Sequence, residues 1–89
     1  MTLAFLNPSR NFDEARDAVG FIAHDGMFEI RFFVEAAALA PRQPQGTSFS
    51  EEQCLSAFDA MRPKIHAVAR EVYSRRRSNL NTLRVTDFR

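Results

Sequence analysis

Five polar side chains recur at helical spacing in the second half of the chain: Asp59, Arg62, His66, Arg70 and Tyr73, separated by three, four, four and three residues. On a helix this spacing sets all five along one flank. A carboxylate, two guanidinium groups, an imidazole and a phenol together have the parts of an anion-binding or acid–base site. Asp59 is expected to pair with Arg62. His66 has an arginine four residues away on either side, so its protonated form is disfavoured and the ring is expected to be neutral near pH 7. A neutral imidazole can act as a base, but nucleophilic catalysis also needs a Ser or Cys within its reach, and the spacing places none there. Cys54 falls in an apolar stripe and reads as a small buried hydrophobe. Ion pairing along a helix flank is the stronger reading. No residue is assigned as catalytic, and the chain is read as non-enzymatic.

A second group is the run Arg75, Arg76 and Arg77 in "VYSRRRSN". Cations in the last turn of a helix offset its free carbonyls and dipole, each by about 0.3 to 1 kcal/mol, and Asn79 suits the left-handed position that closes a helix. Together with Arg62 and Arg70 these arginines form a candidate anion or nucleic-acid contact. The helix projection splits them, however, with Lys64 and Arg75 opposite Arg62 and Arg70. The chain holds 12 Lys and Arg against 11 Asp and Glu, a net charge of +1. Its pI near 8.0 lies below the value of about 9 that marks a dedicated nucleic-acid domain. Nucleic-acid binding is therefore the alternative and not the first reading. His24 and His66 are far apart, and with one cysteine they supply no zinc-ligand spacing; the three glycines are scattered, so no phosphate loop is present. No metal and no cofactor are expected.

These side chains must be positioned by a domain of 89 residues, which has room for a single core. Nine Phe and no Trp supply bulk without polar atoms to satisfy. The clearest element is "DAVGFIAHDGMFEIRFFVE", a hairpin in which Asp25-Gly26 is expected to form the two-residue loop. Side chains alternate along a strand, so Val19, Phe21, Ala23, Phe28, Ile30 and Phe32 are expected on the core face. The other face then carries Ala18, Gly20, Ile22, Met27 and Phe33, interrupted by His24, Glu29 and Arg31. One helical layer covers only one side of a sheet. Ile22, Met27, Arg31 and Phe33 are accordingly the candidate interaction surface, with a shallow notch where Gly20 faces Arg31. The expected partner is a second copy of the chain or another protein.

"TLAFL" reads as a short strand ended by Asn7-Pro8, and "NFDEAR" as a turn in which Asp13 caps its own backbone. "EAAALA" reads as a short helix stopped by Pro41, and 41–49 as a flexible loop. Ser50 and Gln53 match a capping box, with Phe49 stapling onto Cys54. From there Cys54, Phe58, Met61, Ile65, Val68, Ala69 and Val72 form one apolar stripe, which predicts a single long helix kinked at Pro63. "TLRVT" predicts a last half-buried strand. The result is a single α+β domain over 1–89: two layers, a small antiparallel sheet of about four strands in the order β-β-β-α-α-β, covered on one face by the kinked helix. The N-terminus "MTLAFLNPSR" has no basic leader, and its apolar run is too short to span a membrane. No membrane partner and a cytoplasmic location are expected.

Four segments, "FDEARDAVGF", "FEIRFFVEAAAL", "FDAMRPKIHAVAREVY" and "LRVTDF", together resemble a family of small bacterial proteins catalogued as domain of unknown function 1488. The resemblance covers nearly the whole chain and implies a compact α+β domain with no established activity. The matching positions are Asp13, Arg16, Val19 and Phe21 in the first segment and Phe58, Arg62, Ile65 and Ala69 in the third. The chain departs from the family pattern at Pro63 and at His66, where an acidic residue is common, which weighs against a catalytic His66. Arg16 joins the polar-site candidates on this ground. Its physical reading is a turn arginine paired with a neighbouring acid, and its sharper test is whether Arg16 and Arg62 converge on one anion.

Overall fold

The computed structural model describes residues 3–5, 10–39 and 51–88. Strands β1 (Asn11–Asp13), β2 (Ala18–Asp25) and β3 (Phe28–Glu35) follow one another antiparallel. Three helices come next: α1 (Ala36–Leu39), α2 (Glu51–Ala60) and α3 (Arg62–Arg76). Strand β4 (Leu80–Leu83) and a 3₁₀ helix (Val85–Phe88) close the chain. The sheet order is β1-β2-β3-β4. The expected loop at 41–49 and the capping box at Ser50 lie outside the described residues.

The α+β class holds, but the sheet is mixed and not antiparallel. β4 pairs parallel to β3, with Arg31 opposite Leu80 and Val34 opposite Leu83. A tight hairpin can only join antiparallel strands, whereas a parallel neighbour needs a long crossover, which the helices between β3 and β4 supply. Two strand boundaries also differ from expectation. Asn11–Asp13, read as a turn, is an edge strand opposite Ala18–Gly20, and the turn follows it. The last strand starts at Leu80 and stops at Leu83, so that Val85 falls in the 3₁₀ helix. Of "TLAFL", Ala4 forms a single antiparallel bridge to His24.

The hairpin forms one residue later than expected. Asp25 pairs with Phe28, leaving Gly26 and Met27 as the loop, and Gly26 has φ +62° with no positive φ at Met27, the pattern of a type II′ turn. Each β2 residue consequently faces a β3 partner two positions beyond the expected one. A shift of two preserves the faces, so Val19, Phe21, Ala23, Ile30 and Phe32 are buried as expected. Phe28 is the exception. It is the first residue of β3 after the loop and is 73 % exposed.

The expected single helix is two, divided at Met61 (φ −100°, ψ 7°). Pro63 has no N–H to give the Asp59 carbonyl, and in the second position of a new helix it needs none. The division is local: the Met61 N–H still reaches the Ala57 carbonyl at 3.0 Å, and the Ile65 N–H reaches that of Met61 at 2.9 Å. The apolar stripe therefore keeps its phase, with Cys54, Phe58, Ile65, Val68, Ala69 and Val72 all buried. Phe21 is the hub between layers, 5.2 Å from the Phe32 ring and 5.3 Å from the Phe58 ring.

Candidate functional site

The flank of α2 and α3 carries the five spaced polar residues, and each has a partner within the chain. Arg10 donates from Nε and Nη2 to the two Asp59 oxygens at 3.0 and 2.8 Å, and Arg62 adds a third bond at 2.8 Å. Hydrogen bonds from Arg10 first and Arg62 second hold the Asp59 carboxyl below its ordinary pKa. The His66 ring lies flat on Phe5, centroids 3.8 Å apart and planes 5° from parallel. Arg70 stands over the same Phe5 ring at 4.9 Å. Burial, then the charges of Arg62 and Arg70, push the His66 pKa down, the direction the spacing implied. Tyr73 donates its O–H to Asp25 at 2.6 Å, and this bond raises the phenol pKa.

This flank is the seat of the N-terminal segment and of Arg10. Neither Phe5 nor Arg10 figured among the sequence candidates. Arg10 lies 49 residues from Asp59, and helical periodicity carries no information over that distance. Cys54 is fully buried, and its thiol pKa is raised by burial and by the Asp17 charge.

At the basic terminus, Arg77 and not Asn79 takes the left-handed position (φ 53°), its N–H closing α3 on the Tyr73 carbonyl at 2.8 Å. Arg76 pairs with Asp87 at 3.5 Å, whose carboxylate also accepts the Arg84 N–H at 2.9 Å. Arg70 and Arg75 are exposed. The candidate cations are thus dispersed over a paired group, a cap and a ring contact.

The outer sheet face is built differently from its expected form. Phe33 is buried, not exposed: its ring lies over Gly20, where a Cβ would stand 3.0 Å from Phe33 Cε1, and the Arg16 guanidinium caps it at 4.4 Å. Phe33 itself fills the notch expected at Gly20. Arg16 is held in turn by Asp13, whose carboxylate accepts the Arg16 amide at 3.1 Å and lies 3.4 Å from its guanidinium. Arg62 instead stands over Phe58, in the helical layer. Arg16 and Arg62 are therefore on opposite faces of the sheet and do not converge on one anion.

What the outer face leaves open is a row across three strands, Ile22, Arg31 and Leu80, in register. Arg31 is exposed and has no ion-pair partner among the described residues. A groove of about 680 Å³ runs from this row toward β1, lined by Asn11, Glu14, Ile22, Arg31 and Phe33 among others. At the hairpin end, Met27 is 97 % exposed, Phe28 73 % and Leu80 47 %. Met27 was among the sequence candidates. Phe28 is expected in the core from the strand alternation, and Leu80 precedes the "TLRVT" segment expected as the last strand.

Among the described residues, no group of three or more His, Cys, Asp or Glu is placed to hold a metal ion, and no helix is long and apolar enough to cross a membrane. Residues 3–84 match the model of a family described as "Protein of unknown function (DUF1488)". No curated protein and no solved structure matches the chain.

Proposed function

The chain belongs to the DUF1488 family, and on that premise we propose that it is a non-enzymatic interaction module that self-associates through the hairpin end of its outer sheet face. The observation that carries this reading is the exposure of Leu80 in the outer Ile22–Arg31–Leu80 row and of Met27 and Phe28 at the adjoining hairpin tip, Phe28 sharing the alternation of Ile30 and Phe32 and so belonging to the helix side of the sheet. Large apolar side chains gathered at one end of a small domain are typical of contact surfaces. The same face of β3 also holds both an acceptor and a donor for a two-fold contact: Glu29 and Arg31 are two residues apart on it, so a second copy in the opposite direction brings each beside the other.

Size-exclusion chromatography with light scattering tests the proposal on the wild type, on the Met27→Glu/Phe28→Glu double variant and on Leu80→Glu. The wild type is expected to approach the dimer mass as concentration rises, and both variants to remain monomeric. A wild type that stays monomeric at all concentrations removes the proposal. Phe33→Glu is a poor probe, because it places a charge in a buried site beneath Arg16.

A second reading, nucleic-acid binding by the basic helix end, draws on Arg75, Arg70 and Arg31, which has no ion-pair partner among the described residues. Pairing of Arg76 with Asp87 and use of Arg77 as a cap weaken it. Its test is binding to mixed DNA and RNA at low salt, with loss of a salt-dependent signal in the Arg75→Gln/Arg76→Gln/Arg77→Gln variant.

A further inference from the structure

Residues Leu3 to Phe5 are held to the domain by backbone and side-chain contacts, including a Phe5–Phe21 ring contact at 6.2 Å. Leu3 is buried. Ala4 exchanges two backbone hydrogen bonds with His24, both at 2.8 Å. Phe5 lies on His66 at 3.8 Å and under Arg70 at 4.9 Å. The stacked contact of Phe5 therefore rests on a titratable ring.

The surroundings of that ring are one-sided in charge. From α3 it is flanked by Arg62 and Arg70; from β2 it meets Phe21, ring centroids 6.0 Å apart; from the N-terminal segment it meets Phe5. The acids on this side are committed elsewhere. Asp59 is bound by Arg10 and Arg62, and Asp25 accepts the Tyr73 hydroxyl. The backbone of His24 holds Ala4, but by strand alternation its ring belongs to the opposite face of the sheet, in register with Glu29. A proton on His66 thus brings a third cation beside two guanidinium groups, in a partly buried position.

We propose that His66 is a pH-operated latch for the N-terminal segment: when its imidazole is protonated, Phe5 leaves the α3 flank and the backbone of His24 is uncovered at the edge of β2. One interaction opposes release, since a charged imidazole on Phe5 gains a cation–π attraction of about 0.5 to 1 kcal/mol. Burial and the charges of Arg62 and Arg70 act the other way, each pushing the His66 pKa down. Because the folded pKa lies below the ordinary 6.5, the neutral ring's contribution is complete above about pH 6.5 and is lost as pH falls through the folded value. Release exposes one N–H and one C=O of a strand that otherwise pair with Ala4, an edge able to accept another strand.

Amide hydrogen exchange read by NMR on the full chain tests the latch. Between about pH 7.5 and about pH 5, the protection factors of the Ala4 and His24 amides are expected to fall by a factor of about 3 or more, while those of core amides such as Phe32 hold. In His66→Phe, which keeps an aromatic stack without a charge, the same amides are expected to be insensitive to pH. In His24→Gln the response is expected to persist. Wild-type protection that does not change, or a response that survives in His66→Phe, overturns the proposal. Should His66→Phe fail to fold, the wild type decides alone. The ring resonances of Phe5 must move with the midpoint of the His66 titration, and movement with another midpoint, or none, is equally fatal.

Discussion

At the scale of single residues, the outcome for each polar side chain was set by its nearest opposite charge or aromatic face. Asp59 illustrates this, holding Arg10 and Arg62 together on the surface. Its lowered pKa means that the ionised carboxylate contributes stability above the ordinary value of 3.8, and that the contribution disappears as pH falls through the folded value. The site is half exposed, so Asp59→Asn is expected to cost no more than about 1 kcal/mol near neutral pH. Urea unfolding at neutral and acid pH checks this, because the variant's stability should fall less steeply than the wild type's on the acid side. Gly20 makes the opposite case, a residue whose missing side chain is the feature. The Phe33 ring occupies the space a Cβ would need, and Arg16 keeps the ring from lifting away. Gly20→Ala is expected to destabilise by roughly 1 to 2 kcal/mol, and Phe33→Leu in the same chain to recover part of that loss. Additive costs in a double-mutant cycle of denaturation midpoints would count against the contact.

At the scale of elements, periodicity was legible and boundaries were not. The alternation in β2 and β3 assigned the buried face correctly, yet it placed the loop at Asp25-Gly26 where the chain uses Gly26-Met27. A pattern of period two cannot distinguish a register from one shifted by two, and Phe28, just past the loop, was the residue misassigned. The stripe from Cys54 to Val72 likewise survives across Met61, where the helix divides, because the backbone hydrogen bonds on either side keep its phase. The C-terminus of α3 shows a local preference overridden: Arg77 adopts a positive φ that Asn or Gly accepts at lower cost. Arg77→Gly is expected to raise stability by about 0.5 to 1 kcal/mol, the relief of the backbone exceeding the loss of a helix-end cation. A thermal or urea midpoint below the wild type's would show that the Arg77 side chain has a structural task of its own.

At the scale of the whole molecule, one core joins both layers, and Phe58 is at its centre, fully buried and in ring contact with Phe21. A domain of this size has a stability of about 5 to 10 kcal/mol, and Phe58→Ala is expected to remove about 3 to 5 of it. Circular dichroism should find the variant marginally folded at ambient temperature; a thermal midpoint near that of the wild type would mean that the layers do not depend on this contact. From the sequence by itself came the class of the domain, the buried faces of its hairpin and helices, the Asp59–Arg62 pair and the neutral tendency of His66. All of these depend on residues within a few positions of one another, where alternation and helical spacing determine what meets. Only the tertiary structure decided that β4 runs parallel to β3, that Phe33 folds down over Gly20 beneath Arg16, and that Phe5 and Arg10 occupy the flank that looked like an open site. Those contacts join segments far apart in the chain, and the helical crossover from β3 to β4 and the layer packed on the sheet bring them together. No local repeat encodes that geometry.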